Sequence, residues 1–510
     1  MSLSIRVFAL SASLLISLLL TAQEVDSFVL ARQDFKNTSN NSVTITTYKK
    51  DGISYVYQGG QSSDIDVYSI DQKGILNPVS HHKLSNDNGP VRGLIGDNIG
   101  GTDFLFAGNK GASKVEVFKI LDDGSLSKVF ILDDTDETYL GTVITLQVVH
   151  MKKSSYLFVG GLEKVPGLSC FKIHNDGSLT HIQSMQDNDE LHTDGIIGMV
   201  VHKIQGKTYL YTGGFHDSGV SGFRVFESGR FRNINNISDN KTDRYLTGTY
   251  PVTGITLGGQ HYVVVGHRHY KYYKRGGNWI KVKDWVYHGD GVTVFRINNK
   301  GALELHSTLV DDENTMISGQ TRIEILRVDE NQAFVAIATK DDESIQLCKL
   351  DEKGILTPLS YIKTGYPIYY GMGATKIEDD YFFIASSTDP VQKKIVSYKV
   401  SAADPKSKGK VLRHVVNLKF KDNIAQDKIN EALATFVNLK GDIPEIAAVE
   451  GGLNNSTEGH SKGFDYCFTL TFKDTDAREI YLFHKAHIEL VESVGPLLED
   501  VMVMDYWAEN

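Results

Sequence analysis

The sequence predicts a mainly β chain, in which a seven-bladed β-propeller is followed by a small α+β domain of the ferredoxin-like type. The first observation is a repeat: seven strand-rich stretches carry an equivalent aromatic residue, at spacings of 49, 52, 53, 53, 72 and 48 residues. A period near fifty built from strand-sized pieces is typical of a propeller. The second observation is that this period stops near residue 400, and apolar residues at helical spacing follow at residues 424–439. The repeated aromatic residues are Tyr55, Phe104, Tyr156, Tyr209, Tyr262, Phe334 and Phe382.

Each repeat reads as four strands, with a glycine-containing turn between the third and fourth. Asp-Gly pairs at residues 123–124 and 176–177 stand at this turn, as expected for a tight connection between strands. The last repeat has no fourth strand before the chain leaves the propeller. Residues 27–31 are strand-like and belong to no repeat, so we expect them to complete the last blade and close the ring. The propeller is therefore predicted over residues 25–400.

Three segments of the third repeat carry a resemblance to a known family: residues 156–161 (YLFVGG), 170–173 (CFKI) and 176–179 (DGSL). They resemble the lactonase-like branch of seven-bladed propellers, over about residues 25–400. The similar residues are structural, and the resemblance does not place the catalytic residues of that branch on this chain. A propeller lactonase or hydrolase is thus an alternative that the resemblance implies from fold alone.

The first 22 of the 510 residues predict a signal peptide, because an apolar run from residue 7 to residue 20 ends in small residues. An N-terminal membrane anchor is the alternative, and no later stretch is apolar enough to span a bilayer. We expect a secreted or periplasmic protein with no membrane span after cleavage. The three widely spaced cysteines form neither a disulfide framework nor a metal motif, and the net charge of −10 disfavours nucleic-acid binding. No cofactor is predicted.

Loops that precede the inner strands should converge on one face of the propeller, where ligands usually enter. Arginine and aromatic residues there would suit a carbohydrate or a small anionic ligand, and solvated loops that bind nothing are the alternative. A metal held by the histidines of this face, including His288, is a further alternative that the spacing leaves open, and no metal site is assigned. The predicted ligand-binding residues are Arg92, His192, Asp194, His216, His269, Arg322 and Tyr366.

After a polar linker at residues 401–410, the segments 411–420, 424–439, 447–453, 466–472, 476–498 and 501–506 follow a β-α-β-β-α-β order. Residues 412–421 (LRHVVNLKFK), 439–444 (LKGDIP), 463–472 (GFDYCFTLTF), 481–488 (YLFHKAHI) and 503–506 (VMDY) resemble the stress-responsive dimeric A/B-barrel (Dabb) family. The resemblance covers residues 411–507. Members pair their sheets across a two-fold axis, which implies a homodimer.

One enzymatic branch of the Dabb family closes a polyketide by aldol chemistry, and the resemblance places Tyr481 and His487 on its catalytic tyrosine and histidine. His414 and His484 fall on further histidines of the pattern. A histidine can abstract a proton next to a carbonyl while a phenol stabilises the enolate. Tyr466 departs from the pattern, because that branch carries a histidine there. The alternative is that these histidines only help the domain to fold or dimerise.

Taken together, the sequence favours an exported two-domain binding or scaffold protein, in which the propeller binds a ligand or partner and the C-terminal domain dimerises. The alternatives are an enzyme that uses the His487 and Tyr481 pocket for cyclase- or lyase-like proton transfer, and a propeller lactonase or hydrolase.

Overall fold

The computed structural model describes residues 28–39, 41–85, 89–162, 166–238, 246–268, 271–275, 278–282, 290–402 and 410–509. The chain divides into two compact units, Met1–Ser401 and Ala402–Asn510. The predicted signal peptide and most of the predicted linker lie outside the described residues. Within the described ranges, no helix has both the length and the apolar character needed to cross a membrane.

The described residues of the N-terminal unit form seven four-stranded antiparallel sheets. The first strand, β1 (Phe28–Asn37), belongs to the seventh sheet. The first sheet contains β2 (Ser42–Lys50), β3 (Ile53–Gly60), β4 (Asp64–Ile70) and β5 (Leu76–Lys83), and the second contains β6 (Val91–Ile99), β7 (Thr102–Asn109), β8 (Lys114–Ile120) and β9 (Leu126–Asp133). The third and fourth contain β10 (Val143–His150), β11 (Ser155–Gly161), β12 (Gly167–Ile173) and β13 (Leu179–Gln186), then β14 (Ile196–Ile204), β15 (Lys207–Gly214), β16 (Gly219–Val225) and β17 (Phe231–Ser238).

The fifth sheet is interrupted by a hairpin of two short strands, β20 (Lys271–Arg275) and β21 (Asn278–Val282). This hairpin accounts for the longest spacing of the repeat. The fifth sheet itself contains β18 (Val252–Leu257), β19 (Gln260–His267), β22 (Gly291–Ile297) and β23 (Leu303–Val310), and the sixth contains β24 (Gln320–Arg327), β25 (Gln332–Thr339), β26 (Ser344–Asp351) and β27 (Leu356–Lys363).

The seventh sheet combines the two ends of the propeller sequence. It contains β28 (Met372–Ile377), β29 (Asp380–Ser386) and β30 (Lys394–Ala402), and its outer strand is β1 (Phe28–Asn37) from the start of the described chain. Leu30 of β1 is only 2% exposed, in a cluster with Phe383 and Tyr398. The ring of Phe28 packs edge-on against Phe334, with 5.0 Å between the ring centroids. The N-terminal strand therefore covers an apolar edge that would otherwise face water.

The innermost strands form a closed ring. Each of β2, β6, β10, β14, β18, β24 and β28 contacts the innermost strand of both neighbouring sheets, and contact between β28 and β2 completes the circle. Apolar clusters lie between adjacent sheets, as where Tyr57 of the first sheet packs with Leu105 and Phe118 of the second. The predicted seven-bladed propeller is thus confirmed.

In the described part of the C-terminal unit, residues 410–509, the strands form one four-stranded antiparallel sheet in the order β32-β33-β31-β34. Its elements are β31 (Lys410–Phe420), α1 (Gln426–Asp442), β32 (Ile446–Leu453), β33 (Tyr466–Phe472), α2 (Thr475–Phe483), α3 (Lys485–Val494) and β34 (Leu498–Glu509). This β-α-β-β-α-β order confirms the predicted ferredoxin-like fold, with the second helix divided in two.

The helices of this unit cover one face of the sheet. Alternate residues of β31 (Leu412, Val416 and Leu418) pack with Phe436 and Leu439 of α1 in a single core, as the two-residue period of a strand and the helical spacing of α1 require. The intervening residues of the strands point to the opposite face, which no helix of the described unit covers. The sheet therefore has one buried face and one open face.

Candidate functional site

A cavity of about 430 Å³ lies between the helices and the sheet of the C-terminal unit. Aliphatic side chains make most of its wall, and the polar groups are few. The polar lining residues are His414, Tyr481, His487 and Asp505; the apolar ones include Val416, Leu418, Phe436, Leu482, Leu490, Val491, Val494, Leu498, Val501 and Val503. Three of the four residues predicted to be catalytic are therefore brought to one cavity.

Tyr481 and His487 lie against each other across the break between α2 and α3. The centroids of the two rings are 4.3 Å apart. The Nδ1 atom of His487 is 2.9 Å from the carbonyl oxygen of Leu482, which can only accept a hydrogen bond. Nδ1 must therefore carry a proton, so Nε2 is the acceptor when the imidazole is neutral. The local fold thus sets the tautomer that a general base needs.

Burial sets the protonation states of this pair. Burial lowers the pKa of His487, the nearby His414 and His484 lower it further, and the hydrogen bond to the Leu482 carbonyl only partly opposes this. Burial also raises the pKa of Tyr481, and the charge of Asp505 acts in the same direction. At neutral pH the histidine is an uncharged acceptor and the tyrosine a protonated donor.

A second polar chain extends from the cavity to the surface. His414 Nδ1 donates a hydrogen bond of 2.7 Å to Asp505 Oδ1, since the carboxylate can only accept. Arg478 Nη1 donates to the other oxygen of Asp505 at 2.5 Å, and Arg478 Nη2 contacts Glu479 Oε1 at 2.6 Å. The arginine compensates the negative charge of Asp505 beside the cavity.

Sequence reasoning missed Asp505 and Arg478. The pairing of β31 with β34 brings His414 directly opposite Asp505. An acidic residue in the mainly apolar run of the closing strand was the available signal, because strand alternation places Asp505 on the same face as the cavity-lining Val501 and Val503. Arg478 gave no such signal, since a charged residue on a helix usually faces solvent.

The remaining residue of the predicted catalytic set has another position. His484 separates α2 from α3, and its Nδ1 accepts a hydrogen bond from the backbone N–H of Ala486 at 3.2 Å. It caps the N-terminus of α3 and does not line the cavity. Tyr466, at which the resemblance departs, packs edge-on against Phe420 and is also absent from the cavity wall.

In the propeller, two of the predicted ligand-binding residues line a cavity on the central axis. Arg92 and Arg322 belong to the wall of this cavity, whose volume is about 220 Å³. Arg322 Nε contacts Glu324 Oε1 at 2.7 Å, so its charge is compensated inside the same cavity. Inner strands of several blades contribute the rest of the wall, largely with threonine and aliphatic side chains.

His216 and Asp194 form a separate pair. Their Nδ1 and Oδ1 atoms are 2.8 Å apart, and the Asp194 side chain is 3% exposed. His192 lies over Gly219, where an added Cβ would come within 2.4 Å of the imidazole. Burial lowers the pKa of His192 to about 4, so this ring is neutral at physiological pH. None of these three residues lines the axial cavity.

Tyr366 lies elsewhere than predicted. It is 1% exposed, and its hydroxyl contacts the hydroxyl of Tyr398 at 3.0 Å in the core of the last blade. Tyr366 is therefore a core residue and not part of a ligand-accessible mouth. His269 and His288 fall outside the described residues. Within the described ranges, no group of three or more histidine, cysteine, aspartate or glutamate residues could hold a metal ion.

Comparison with known proteins decides the family of the cavity-bearing unit. Residues 412–508 match the Stress responsive A/B Barrel Domain (Dabb) family. A stress-response A/B barrel domain-containing protein of Arabidopsis thaliana is 33% identical over 100 residues, which are 20% of this chain and 91% of that protein. The chain belongs to the Dabb family through its C-terminal unit. The predicted resemblance is confirmed.

A second Dabb-like relative is the olivetolic acid cyclase of Cannabis sativa, which is 27% identical over 95 residues, covering 19% of this chain and 94% of the cyclase. The propeller outside the Dabb domain is similar to a solved structure described as a putative 6-phosphogluconolactonase of Bacteroides fragilis. That structure is 16% identical, with a TM-score of 0.47, and the match covers 67% of this chain and 96% of the other.

Proposed function

We propose that the Dabb domain is an enzyme that transfers a proton next to a carbonyl group, in a cyclase- or lyase-like reaction on a mainly apolar substrate. The observation that carries this proposal is the tautomer of His487. Its Nδ1 donates a hydrogen bond to the Leu482 carbonyl, its ring packs against that of Tyr481, and both residues line the 430 Å³ cavity.

In an aldol-type ring closure, His487 and Tyr481 would each have a defined role. His487 Nε2 takes a proton from the carbon next to a carbonyl, and the electron pair of the broken C–H bond moves to the carbonyl oxygen. The Tyr481 hydroxyl donates a hydrogen bond to this oxyanion. The enolate carbon then attacks a second carbonyl of the same substrate. The resulting alkoxide takes the proton back from His487, so atoms and charge balance.

The cavity wall limits the substrate class. Aliphatic residues of α3 and β34 surround the reacting pair, which favours a ligand with an alkyl or aromatic body. Polar groups are confined to His414, Tyr481, His487 and Asp505, which suits a small number of carbonyl or hydroxyl oxygens. The name of the Cannabis relative, a cyclase, agrees with this assignment.

The direct test is solvent deuterium incorporation at the α-carbon of an aryl alkyl ketone such as butyrophenone, followed by proton NMR with the full chain. We expect catalysed exchange, lowered about 10²–10⁴-fold in His487→Asn through loss of the base. Tyr481→Phe should lower it about 10²-fold or more through loss of the oxyanion donor.

The matched control is His460→Asn, because His460 is an exposed histidine of the same unit and lies outside this cavity. It should exchange deuterium at the rate of the unaltered chain. Equal exchange in His487→Asn and in the unaltered chain would contradict the proposal, provided that circular dichroism shows both to be folded.

We further propose that the unit forms a homodimer through the open face of its sheet. Met502, Met504 and Tyr506 of β34 point away from the helix-covered face and are 40%, 52% and 52% exposed. Large apolar side chains in a row on an open sheet are characteristic of an interface. Met504→Asp should convert a dimer to a monomer in light scattering after gel filtration, whereas Glu499→Asp, also on β34, should not.

Export is the last part of the proposal, and it rests on the apolar run of residues 7–20. A chain expressed with its natural N-terminus should lose about residues 1–22. Mass spectrometry of the exported protein checks this, and an intact N-terminus on purified material would contradict it.

A further inference from the structure

Four side chains form a continuous stack near the axial cavity of the propeller. The guanidinium carbon of Arg92 is 4.6 Å from the ring centroid of Tyr370. Tyr370 stacks on Tyr250 with 5.1 Å between centroids, and the guanidinium of Arg268 lies 3.8 Å from the Tyr250 ring. The order is cation, ring, ring, cation. Because the rings hold both guanidinium groups, little side-chain entropy remains to be lost when a ligand binds.

A third cation completes the cluster. The ring of Tyr369 is in edge contact with Tyr370, 4.9 Å between centroids. Arg92 lies 5.6 Å and the Lys340 amine 5.8 Å from the centroid of this same ring. Three positive side chains from three different blades thus lie against a cluster of three tyrosines, Tyr250, Tyr369 and Tyr370.

The charge of Arg92 is not compensated in the way that the charge of Arg322 is. In the part of the chain that the structure describes, the buried Nε of Arg92 has no hydrogen-bond partner, although Arg92 lines the axial cavity. Arg322 lines the same cavity but is paired with Glu324. A buried guanidinium N–H without an acceptor is costly, and an anion in the cavity would satisfy it.

We propose that the propeller binds a small oxyanion, a carboxylate or phosphate group, at the axial cavity beside Arg92, with Arg268 and Lys340 adding positive potential. The volume of about 220 Å³ admits inorganic phosphate or a monosaccharide acid, and excludes a polymer from the cavity itself. The wall also offers threonine hydroxyls of several inner strands, which can bind the hydroxyl groups of a sugar. This site is independent of the reaction proposed for the Dabb domain.

Isothermal titration calorimetry of the full chain tests this with three probes: inorganic phosphate, D-glucuronate and D-glucose. Glucuronate and glucose differ mainly in the carboxylate, so binding of glucuronate without glucose isolates the charge. We expect saturable binding of at least one anion, weakened by added sodium chloride, and none of glucose. Phosphate binding alone identifies a phosphate site, and tighter glucuronate binding a sugar-acid site. Absence of saturable binding by either anion overturns the proposal.

Variants connect the binding to Arg92. Arg92→Gln should weaken the affinity at least tenfold, and Arg92→Lys, which keeps the charge but loses the planar fork, by an intermediate factor. Arg296→Gln is the matched control, because it removes the same charge near the C-terminal end of β22, outside the lining of the axial cavity. If Arg92→Gln does not fold, Arg92→Lys decides the question. Unchanged affinity in a folded Arg92 variant contradicts the assignment.

Discussion

The ring of Tyr55 in the first blade lies directly against Gly124 in the turn of the second blade. A Cβ added to Gly124 would come within 2.1 Å of the ring, and the backbone of Gly124 has a φ of +82°. The repeated aromatic residue of the sequence is thus a contact between blades. The same relationship joins Phe104 to Gly177, Tyr156 to Gly229, Tyr209 to Gly301, Tyr262 to Gly354 and Phe382 to Gly74.

This contact predicts a large effect for Gly124→Ala. The substitution forces a side chain into the Tyr55 ring and into a left-handed backbone, so we expect a loss of about 2–4 kcal/mol in the free energy of unfolding. Gly101→Ala is the matched control: its φ is +90°, but no atom lies within 4 Å of the added Cβ. It should lose only about 1 kcal/mol. Urea denaturation compares the two, and equal losses would contradict a blade-to-blade role.

The N-terminal strand of the last blade makes a second prediction. Leu30 of β1 is buried in an apolar cluster that joins the sixth and seventh sheets, so Leu30→Ala should lower the free energy of unfolding by about 2–5 kcal/mol. Val391→Ala removes apolar atoms from a side chain that is 86% exposed and should have almost no effect. Thermal unfolding followed by calorimetry measures both. If the midpoint temperature of the propeller transition is the same in Leu30→Ala and in the unaltered chain, β1 does not hold the ring closed.

Acid should destabilise the propeller through a buried histidine between two blades. Burial, aided by the charge of His261, lowers the pKa of His202 to about 4, below the ordinary value of 6.5. Between these values the unfolded chain binds a proton that the folded chain does not. Stability is therefore complete above pH 6.5 and falls as the pH approaches 4, by at most about 1.4 kcal/mol per pH unit for this residue.

The measurement is urea denaturation at several pH values. His202→Gln should make the acid loss less steep, whereas His174→Gln, which alters a partly exposed histidine, should leave the slope unchanged. Identical slopes for His202→Gln and the unaltered chain would refute the assignment.

Tyr369 should ionise more easily than an ordinary tyrosine. Burial acts to raise its pKa, but the neighbouring Tyr250 hydroxyl and the charges of Arg268, Arg92 and Lys340 outweigh burial and lower it. Absorbance at alkaline pH should show one early tyrosine transition that Tyr369→Phe removes and Tyr361→Phe, at a partly exposed tyrosine, retains. An early transition that persists in Tyr369→Phe would contradict the prediction that Tyr369 has a lowered pKa.

The repeat was sufficient to predict the propeller because aromatic residues and turn glycines recur at the same place in each blade. The missing fourth strand could also be inferred, since an incomplete blade leaves an unpaired edge. Individual ligand positions were harder to predict. Tyr366 and Tyr370 occupy the same loop, yet Tyr366 enters the core and Tyr370 lines the cavity. A short loop has no period that would tell the two directions apart.

In the C-terminal unit, the resemblance led to Tyr481 and His487, which the structure brings together. Asp505, the hydrogen-bond partner of His414, escaped prediction because it lies 91 residues away and becomes a neighbour only through the pairing of β31 with β34. Similarly, a histidine such as His484 looks the same in sequence whether it lines a cavity or caps a helix. Strand register and helix termini, which are tertiary features, separate these cases.

The central claim is that neutral His487 is the base of the Dabb domain, and the pH dependence of α-carbon deuterium exchange tests it most directly. Because burial lowers the pKa of His487, the exchange rate of the unaltered chain should stay high at pH 6.5 and fall only at lower pH. His487→Asn should lose the catalysed exchange, and with it this fall in rate at acid pH, which we call the acid limb. An acid limb above pH 6.5, or one that persists in His487→Asn, would contradict the claim.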